Sequence, residues 1–342
     1  MRSLISLFAL AFSLAHSPLY SQNETIRKIC FGSCSHENKK QPILSQAAKE
    51  SPDLFIYLGD NIYGDTRDMG KLMGKYQKLL NKPEFQELNR ASTVLATWDD
   101  HDYGENDAGR HFPMKEESKE IFLQFWKEPQ ESERRMHEGI YHALMYGPED
   151  KRVQVILLDT RTFRDNLTKL KDKSKYKNDY QPCEIPDSTM LGSAQWTWLE
   201  KQLNKPAKVR IIASSNQFAH EYNGWESWTN LPCEQRKMLQ LIKSTQANGI
   251  IFLSGDVHWG EISKMNVADQ YPIYDITSSG ITQTWNKPEP NKNRIGEVIM
   301  ENNYGVIEID WDKADPELTF LIKDTLGLER ANLKVTLSEL QH

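Results

Sequence analysis

An α/β fold with a second sheet packed on the first follows from three features of the 342-residue chain. Short β-branched apolar runs alternate with helix-length amphipathic stretches, the pattern of strands joined by crossover helices. Near Tyr304 this alternation gives way to successive strand-like segments, as a further sheet requires. No repeat, low-complexity tract or linker rich in Pro, Gly or Ser divides the chain beyond its N-terminus, so one domain is expected.

The expected strands begin at Ile29 to Phe31 and Leu54 to Leu58. The second, Leu-Phe-Ile-Tyr-Leu, has no polar position, as a strand buried on both faces requires. Thr93 to Ala96, Val153 to Leu158, Val209 to Ala213, Ile250 to Leu253 and Ile273 to Ile276 read the same way. Between them lie expected helices at Gln41 to Glu50, Met69 to Leu80, Lys115 to Trp126, Ala194 to Leu203 and Cys233 to Gln246, with Ser193 as the N-cap of the fourth. The closing strands are expected at Val306 to Trp311, Leu318 to Ile322 and Leu333 to Leu337.

The N-terminus reads as a secretory signal: Met1-Arg2, an apolar stretch from Leu4 to Leu14, then Pro18 and polar residues to a cut after Ser21. Eleven residues fall short of the roughly 20 that span a bilayer. No Cys follows the cut, so no lipid anchor is expected there. Residues 22–342 are expected to form the exported domain, secreted or periplasmic and monomeric. The net charge of −6 and the absence of a basic stripe argue against nucleic acid as a partner. The alternating lysines from Lys169 to Lys177 read as a solvated loop. All four cysteines lie after the signal. Cys183 and Cys233 occupy Pro-flanked loops and are candidates for a cross-link, whereas Cys30 sits in a strand and reads as buried.

Five apolar runs end in residues that bind metals or move protons, and in open α/β sheets the carboxyl ends of strands share one crevice. In Gly59-Asp60-Asn61-Ile62-Tyr63-Gly64-Asp65, Asp60 is placed to bridge two cations and Tyr63 to return as phenolate, a ligand that favours Fe3+. Trp98-Asp99-Asp100-His101-Asp102 offers a carboxylate for a hard cation and an imidazole to protonate a leaving group. Asp256 and His258, two apart in a segment read as extended, point the same way. Cys34 and Asn216 close the set, with Asn216 or Gln217 as the amide facing the metal. Two bridged cations about 3.5 to 4 Å apart suit phosphoryl transfer to water.

These residues resemble the PhoD-type alkaline phosphatase/phosphodiesterases of the metallophosphoesterase superfamily across nearly all of the exported part. The resemblance is carried by Phe31-Gly32-Ser33-Cys34, Gly59-Asp60-Asn61-Ile62-Tyr63, Trp98-Asp99-Asp100-His101-Asp102, Leu158-Asp159-Thr160-Arg161-Thr162-Phe163-Arg164, Gly255-Asp256-Val257-His258 and Ser278-Ser279-Gly280-Ile281-Thr282. Cys34-Ser35-His36, Asp99-Asp100-His101-Asp102 and Gly255-Asp256-Val257-His258 stand where the superfamily usually has Asp-x-His, Gly-Asn-His-Glu and Gly-His-x-His. The resemblance implies a four-layer αββα sandwich of two mixed sheets. It also implies Fe3+ on Cys34, Asp60, Tyr63 and His258, and Ca2+ on Asp60, Asp100, Asn216 and Asp256. A further Ca2+ falls to Asp65, Asn106 and Asp107. The donor types agree: thiolate and phenolate suit iron, oxygen donors suit calcium, and zinc is the alternative.

The implied activity is hydrolysis of a small-molecule or lipid phosphate ester by a metal-bridging hydroxide attacking in line, with His101 as general acid. His36 and Arg161 are candidates for contacting substrate, Arg161 alternatively for an ion pair. Phosphodiesterase or phospholipase-type cleavage is the main alternative, with Trp225, Trp228 and Trp285 available to cover a second ester arm. A non-catalytic, calcium-stabilised binding protein is the remoter one, against which Cys34, Tyr63 and His101 argue.

Overall fold

The computed structural model describes residues 23–183 and 185–342. The signal peptide expected at residues 1–21 lies outside them. Among the described residues no helix is long and apolar enough to cross a membrane.

Among the described residues, thirteen strands form two mixed sheets. The first orders β13(Glu329–Thr336), β12(Glu317–Asp324), β11(Asn303–Asp310), β1(Lys28–Gly32), β2(Leu54–Leu58) and β3(Thr93–Thr97). The second orders β10(Arg294–Ile299), β8(Gly260–Met265), β9(Ile273–Ser278), β7(Ile250–Ser254), β6(Val209–Ala213), β5(Val153–Leu157) and β4(His142–Tyr146). Parallel pairing joins β1, β2 and β3 in one sheet and β5, β6, β7 and β9 in the other. The remaining pairings, toward β13, β10 and β4, are antiparallel.

The helices are α1(Pro42–Lys49), α2(Met69–Leu80), α3(Pro83–Ala91), α4(Asp100–Tyr103), α5(Lys115–Phe125), α6(Glu133–Met136), α7(Gly192–Leu203) and α8(Pro232–Thr245). Strand alternation explains the layering. Ile29 and Phe31 of β1 join the core shared by the two sheets, which continues to Leu199 of α7 and Ile242 of α8. Cys30, between them, faces the opposite core with Phe55, Leu44 of α1, Leu72 of α2 and Phe122 of α5. Four layers result, helices outside each sheet, as the expected αββα sandwich requires.

Several local expectations need correction. Ser193 lies inside α7, whose N-cap is Leu191, and Thr189 Oγ1 accepts the Gly192 N–H at 2.8 Å instead. The Asp99–Asp102 segment is a helical turn, with Asp99 capping α4. Cys183 and Cys233 are both free thiols. Cys183 Sγ lies 3.2 Å from Ser188 Oγ, and Cys233 Sγ accepts from Arg236 at 3.2 Å. Cys30 is fully buried, as its strand position requires.

Candidate metal centre

The parallel strands of both sheets carry the site. Loops after β1, β2, β3, β6 and β7 supply Cys34, Asp60 with Tyr63, Asp99 with Asp100, Asn216, and Asp256 with His258. The loop after β9 ties the two sheets together here: Ser33 N donates to Ser278 O at 3.1 Å and Thr282 N to Cys34 O at 3.0 Å. Gly59, at φ 100°, lets β2 turn under the next loop, and a Cβ there would stand 2.5 Å from Asp99 Cβ. Of the eleven non-glycine residues with positive φ among those described, six belong to this centre: Cys34, Asp60, Asp65, Asp107, Asp256 and His258. Backbone strain is therefore concentrated where the ligands converge. It also corrects one expectation, since Asp256 and His258 enter from left-handed rather than extended backbone.

Ligand atoms of Cys34, Asp60 and His258 lie within 4.8 Å of one another, as do those of Asp60, Asp100 and His101, and those of Asp99, Asp100 and Asp256. Asp60 thus belongs to two groups, as a bridging carboxylate does. Tyr63 joins the first group, its hydroxyl 3.2 Å from His258 Nε2. Both amides are buried: the Asn216 nitrogen has no partner, and Gln217 donates to Glu261 at 2.7 Å and Thr277 at 3.0 Å while its oxygen has none.

The chemistry of these donors fits a cation. One oxygen on each of the buried Asp60, Asp99 and Asp100 lacks a hydrogen bond. Burial pushes the Cys34 thiol up to about 12, and burial with the neighbouring Cys34 and Asp60 raises the Tyr63 phenol well above its ordinary value. Neither ionises at neutral pH without a metal at the donor atom. Burial also raises the Asp60 carboxyl strongly, while Arg161 and His101 outweigh burial at Asp100 and bring it down to about 2. Burial and the nearby His101 lower His258 to about 4, leaving the neutral imidazole that ligation needs.

His101 Nδ1 lies 2.7 Å from Asp65 Oδ1. Burial works against the imidazolium, but Asp60, Asp100 and the Asp65 hydrogen bond outweigh it and raise the group to about 11. One oxygen of the Asp65 carboxylate is thereby engaged by His101. Asp107 lies with Asp100 and Glu226, and Asn106 and Asp107 both line the cleft. His36 stacks on Tyr63 at 4.9 Å between ring centroids, with Nδ1 3.4 Å from Glu37, which also accepts the Tyr63 N–H. It packs behind a candidate ligand.

Arg161 takes the ion-pair role rather than a substrate contact. It is fully buried, donates to Asp99 Oδ1 at 2.5 Å through Nε and meets Glu226 at 2.6 Å, while Arg164 meets Glu226 at 2.9 Å. Trp228 is also fully buried, bonded to Ser214 Oγ at 2.9 Å, and covers no ester arm. Sequence reasoning misses Glu226 because it lies in an irregular connection between aromatic residues, with no strand end to mark it. Asp102 is marked in the sequence only as part of a motif. It accepts Asp60 N at 3.1 Å, Asp99 N at 2.7 Å and Tyr76 Oη at 3.2 Å, locking the β2 and β3 loops together.

Two stacked mixed sheets that deliver carboxylates, imidazoles, a phenol and a thiol to one rim define a metallophosphoesterase-like protein. The chain belongs to the PhoD-like phosphatase family, whose sequence profile matches residues 29–315. It is 24% identical over 278 residues to alkaline phosphatase D of Bacillus subtilis (strain 168), across 69% of this chain and 46% of that protein. This chain thus spans about half the length of that curated relative. The structure of PhoD superposes with a TM-score of 0.64 at 19% identity, covering 92% of this chain and 72% of the other. GAP50, described as the anchor in the inner membrane complex of Plasmodium, superposes at 0.57 with 12% identity, covering 92% and 89%. A fold shared with an anchor fixes no activity, so the site residues carry the functional argument.

Proposed function

We propose that the protein is an exported, metal-dependent phosphoric ester hydrolase of the alkaline phosphatase type. The observation that carries this reading is that Asp60 lies both with Cys34 and His258, which Tyr63 joins, and with Asp100 and the Asp65-paired His101, while Asp100 lies in turn with Asp256. Thiol, phenol and imidazole donors favour Fe3+ at the first position, and the oxygen donors of Asp100, Asp256 and Asn216 favour Ca2+ at the second. Such a pair supplies Lewis acidity toward the phosphoryl oxygens and a nucleophile at neutral pH. Asp60 holds the two positions in register. His101, oriented by Asp65, protonates the leaving oxygen. Cations on Asp60 and Asp100 would neutralise two of the three carboxylates that hold the imidazolium and would lower its pKa toward the working range.

The test is Asp60→Asn assayed with p-nitrophenyl phosphate beside metal analysis: loss of both metal and turnover is expected, and full turnover in the variant would sink the reading. A phosphodiesterase reading is supported by Trp225 and Trp285, which extend the cleft beyond the centre. Comparing rates on p-nitrophenyl phosphate and bis-p-nitrophenyl phosphate separates the two. Export is supported by the N-terminal apolar stretch, and N-terminal sequencing of the mature protein checks the cut after Ser21.

A further inference from the structure

The cleft over the centre encloses about 250 Å³, and its outer wall is aromatic and acidic. Beyond the candidate ligands it is lined by Tyr180, Trp225, Val257 and Trp285 together with Asp107 and Asp179, and no Lys or Arg lines it among the described residues. Lys39, close enough to His258 to lower its pKa, bonds Thr282 O and Gln283 Oε1, and other cations near the wall are also engaged. Lys177 pairs with Glu289 at 2.6 Å, Lys169 bonds Tyr180 Oη at 2.8 Å, and Arg161 and Arg164 are buried against Glu226.

The two outer tryptophans are positioned rather than loose. Trp225 donates its backbone N–H to Asn223 Oδ1 at 2.8 Å and its indole N–H to Glu289 at 3.3 Å. Trp285 donates its backbone N–H to His258 O at 2.9 Å, which sets its ring 6.4 Å from the His258 imidazole. The indoles stand 5.6 Å apart at 54°, an open V rather than a closed stack, and Trp285 is 42% exposed. Trp285 thus stands beside the candidate ligand His258 with Trp225 next to it, and indole faces are surfaces on which flat groups stack. A second anion on that arm meets no Lys or Arg among the lining residues and faces Asp107 and Asp179.

We propose that Trp225 and Trp285 form an arm subsite that takes an uncharged, ring-bearing ester group and disfavours arms carrying a second negative charge. This rests on the phosphoester reading of the same centre and adds the class of ester arm. Phosphonates, which are not hydrolysed, measure it without the leaving-group effect. Inhibition of p-nitrophenyl phosphate hydrolysis, and calorimetric binding to the metal-loaded protein, are compared for phenylphosphonate, methylphosphonate, 3-phosphonopropionate and 2-aminoethylphosphonate. The expected order has phenylphosphonate about tenfold tighter than methylphosphonate, within what stacking on an indole supplies, and 3-phosphonopropionate the weakest. Trp285→Ala, an exposed position that folding tolerates, narrows the phenyl-to-methyl ratio to about twofold or less, and Trp225→Ala moves it the same way.

Equal affinity for the phenyl and methyl compounds overturns the subsite, as does an unchanged ratio in Trp285→Ala. Tightest binding by the aminoethyl compound would make the wall a cation site and overturn the uncharged-arm assignment. Hydrolysis without phenyl preference sinks the subsite alone. Selective phenylphosphonate binding by a metal-loaded protein that hydrolyses nothing sinks the phosphatase reading and leaves the subsite standing.

Discussion

Tyr63 contributes more to the centre than its single hydroxyl suggests. It bonds His258, stacks on His36 and lies 4.3 Å from the His101 ring, so one side chain touches a candidate ligand, a packing histidine and the candidate acid. Tyr63→Phe keeps these ring contacts and removes only the oxygen. Iron content and p-nitrophenyl phosphate turnover should therefore fall together while the melting temperature changes little. His101→Ala should lower kcat by about 10²- to 10⁴-fold, the span a general acid supplies, with metal content retained. Metal loss in parallel with activity would make His101 a ligand instead. Arg161 belongs to stability. Its removal strands the buried Asp99 and Glu226, and Arg161→Ala should cost about 3–5 kcal/mol by denaturant unfolding.

Among the elements, glycine position decides the sign of a substitution. Gly74 sits inside α2 with nothing within 4 Å of where an added methyl would stand, so Gly74→Ala should stabilise the protein by about 0.5–1 kcal/mol. Gly59→Ala puts a Cβ 2.5 Å from Asp99 Cβ at φ 100° and should destabilise the fold and disturb the ligand loops together. Thermal melts of the pair check both signs. The same scale shows why much of the fold was legible. β2, β5, β6 and β7 are buried at every position, and such strands write themselves as unbroken apolar runs whose ends mark the rim. β8 and β10 are hidden in the sequence because polar residues interrupt them, β10 also carries Gly296, and β4 is hidden because its Ala143, Leu144 and Met145 are not β-branched. The candidate ligands are readable for the same reason as the buried strands: each follows one of them by a few residues. Glu226 and the Asp65–His101 pairing depend on how irregular loops fold over the rim, and no local periodicity encodes that.

Taken as a whole, the molecule buries more negative charge at one rim than its own cations balance. Asp60, Asp99, Asp100, Asp107, Asp256 and Glu226 gather around the guanidinium groups of Arg161 and Arg164. Burial pushes Asp99 up to about 7 and Asp107 up to about 6, while enclosure and the neighbouring Asp99 and Glu226 raise Asp256 well above the usual range. Raised folded-state values mean that the folded protein binds more protons than the unfolded chain. Their contribution is fully present below the ordinary aspartate value near 3.8 and is lost as pH rises toward 7. Glu50 and Glu261, held low by lysine, histidine and arginine neighbours that outweigh burial, act in the opposite sense below about 4.5. His258 and His142, lowered to about 4 chiefly by burial, do so up to the ordinary histidine value, but these two are fewer than the raised carboxyls. Chelator-stripped protein should therefore lose stability between about pH 5 and pH 7.5 in denaturant titrations, and metal-loaded protein should lose much less; a rise with pH in the stripped form would contradict this.

The centre that these charges require is tested most directly by the metal content of protein purified without chelators. Iron and calcium together are predicted, with iron lost in Cys34→Ser and in Tyr63→Phe. Zinc without iron, or no bound metal at full phosphatase activity, would contradict the account.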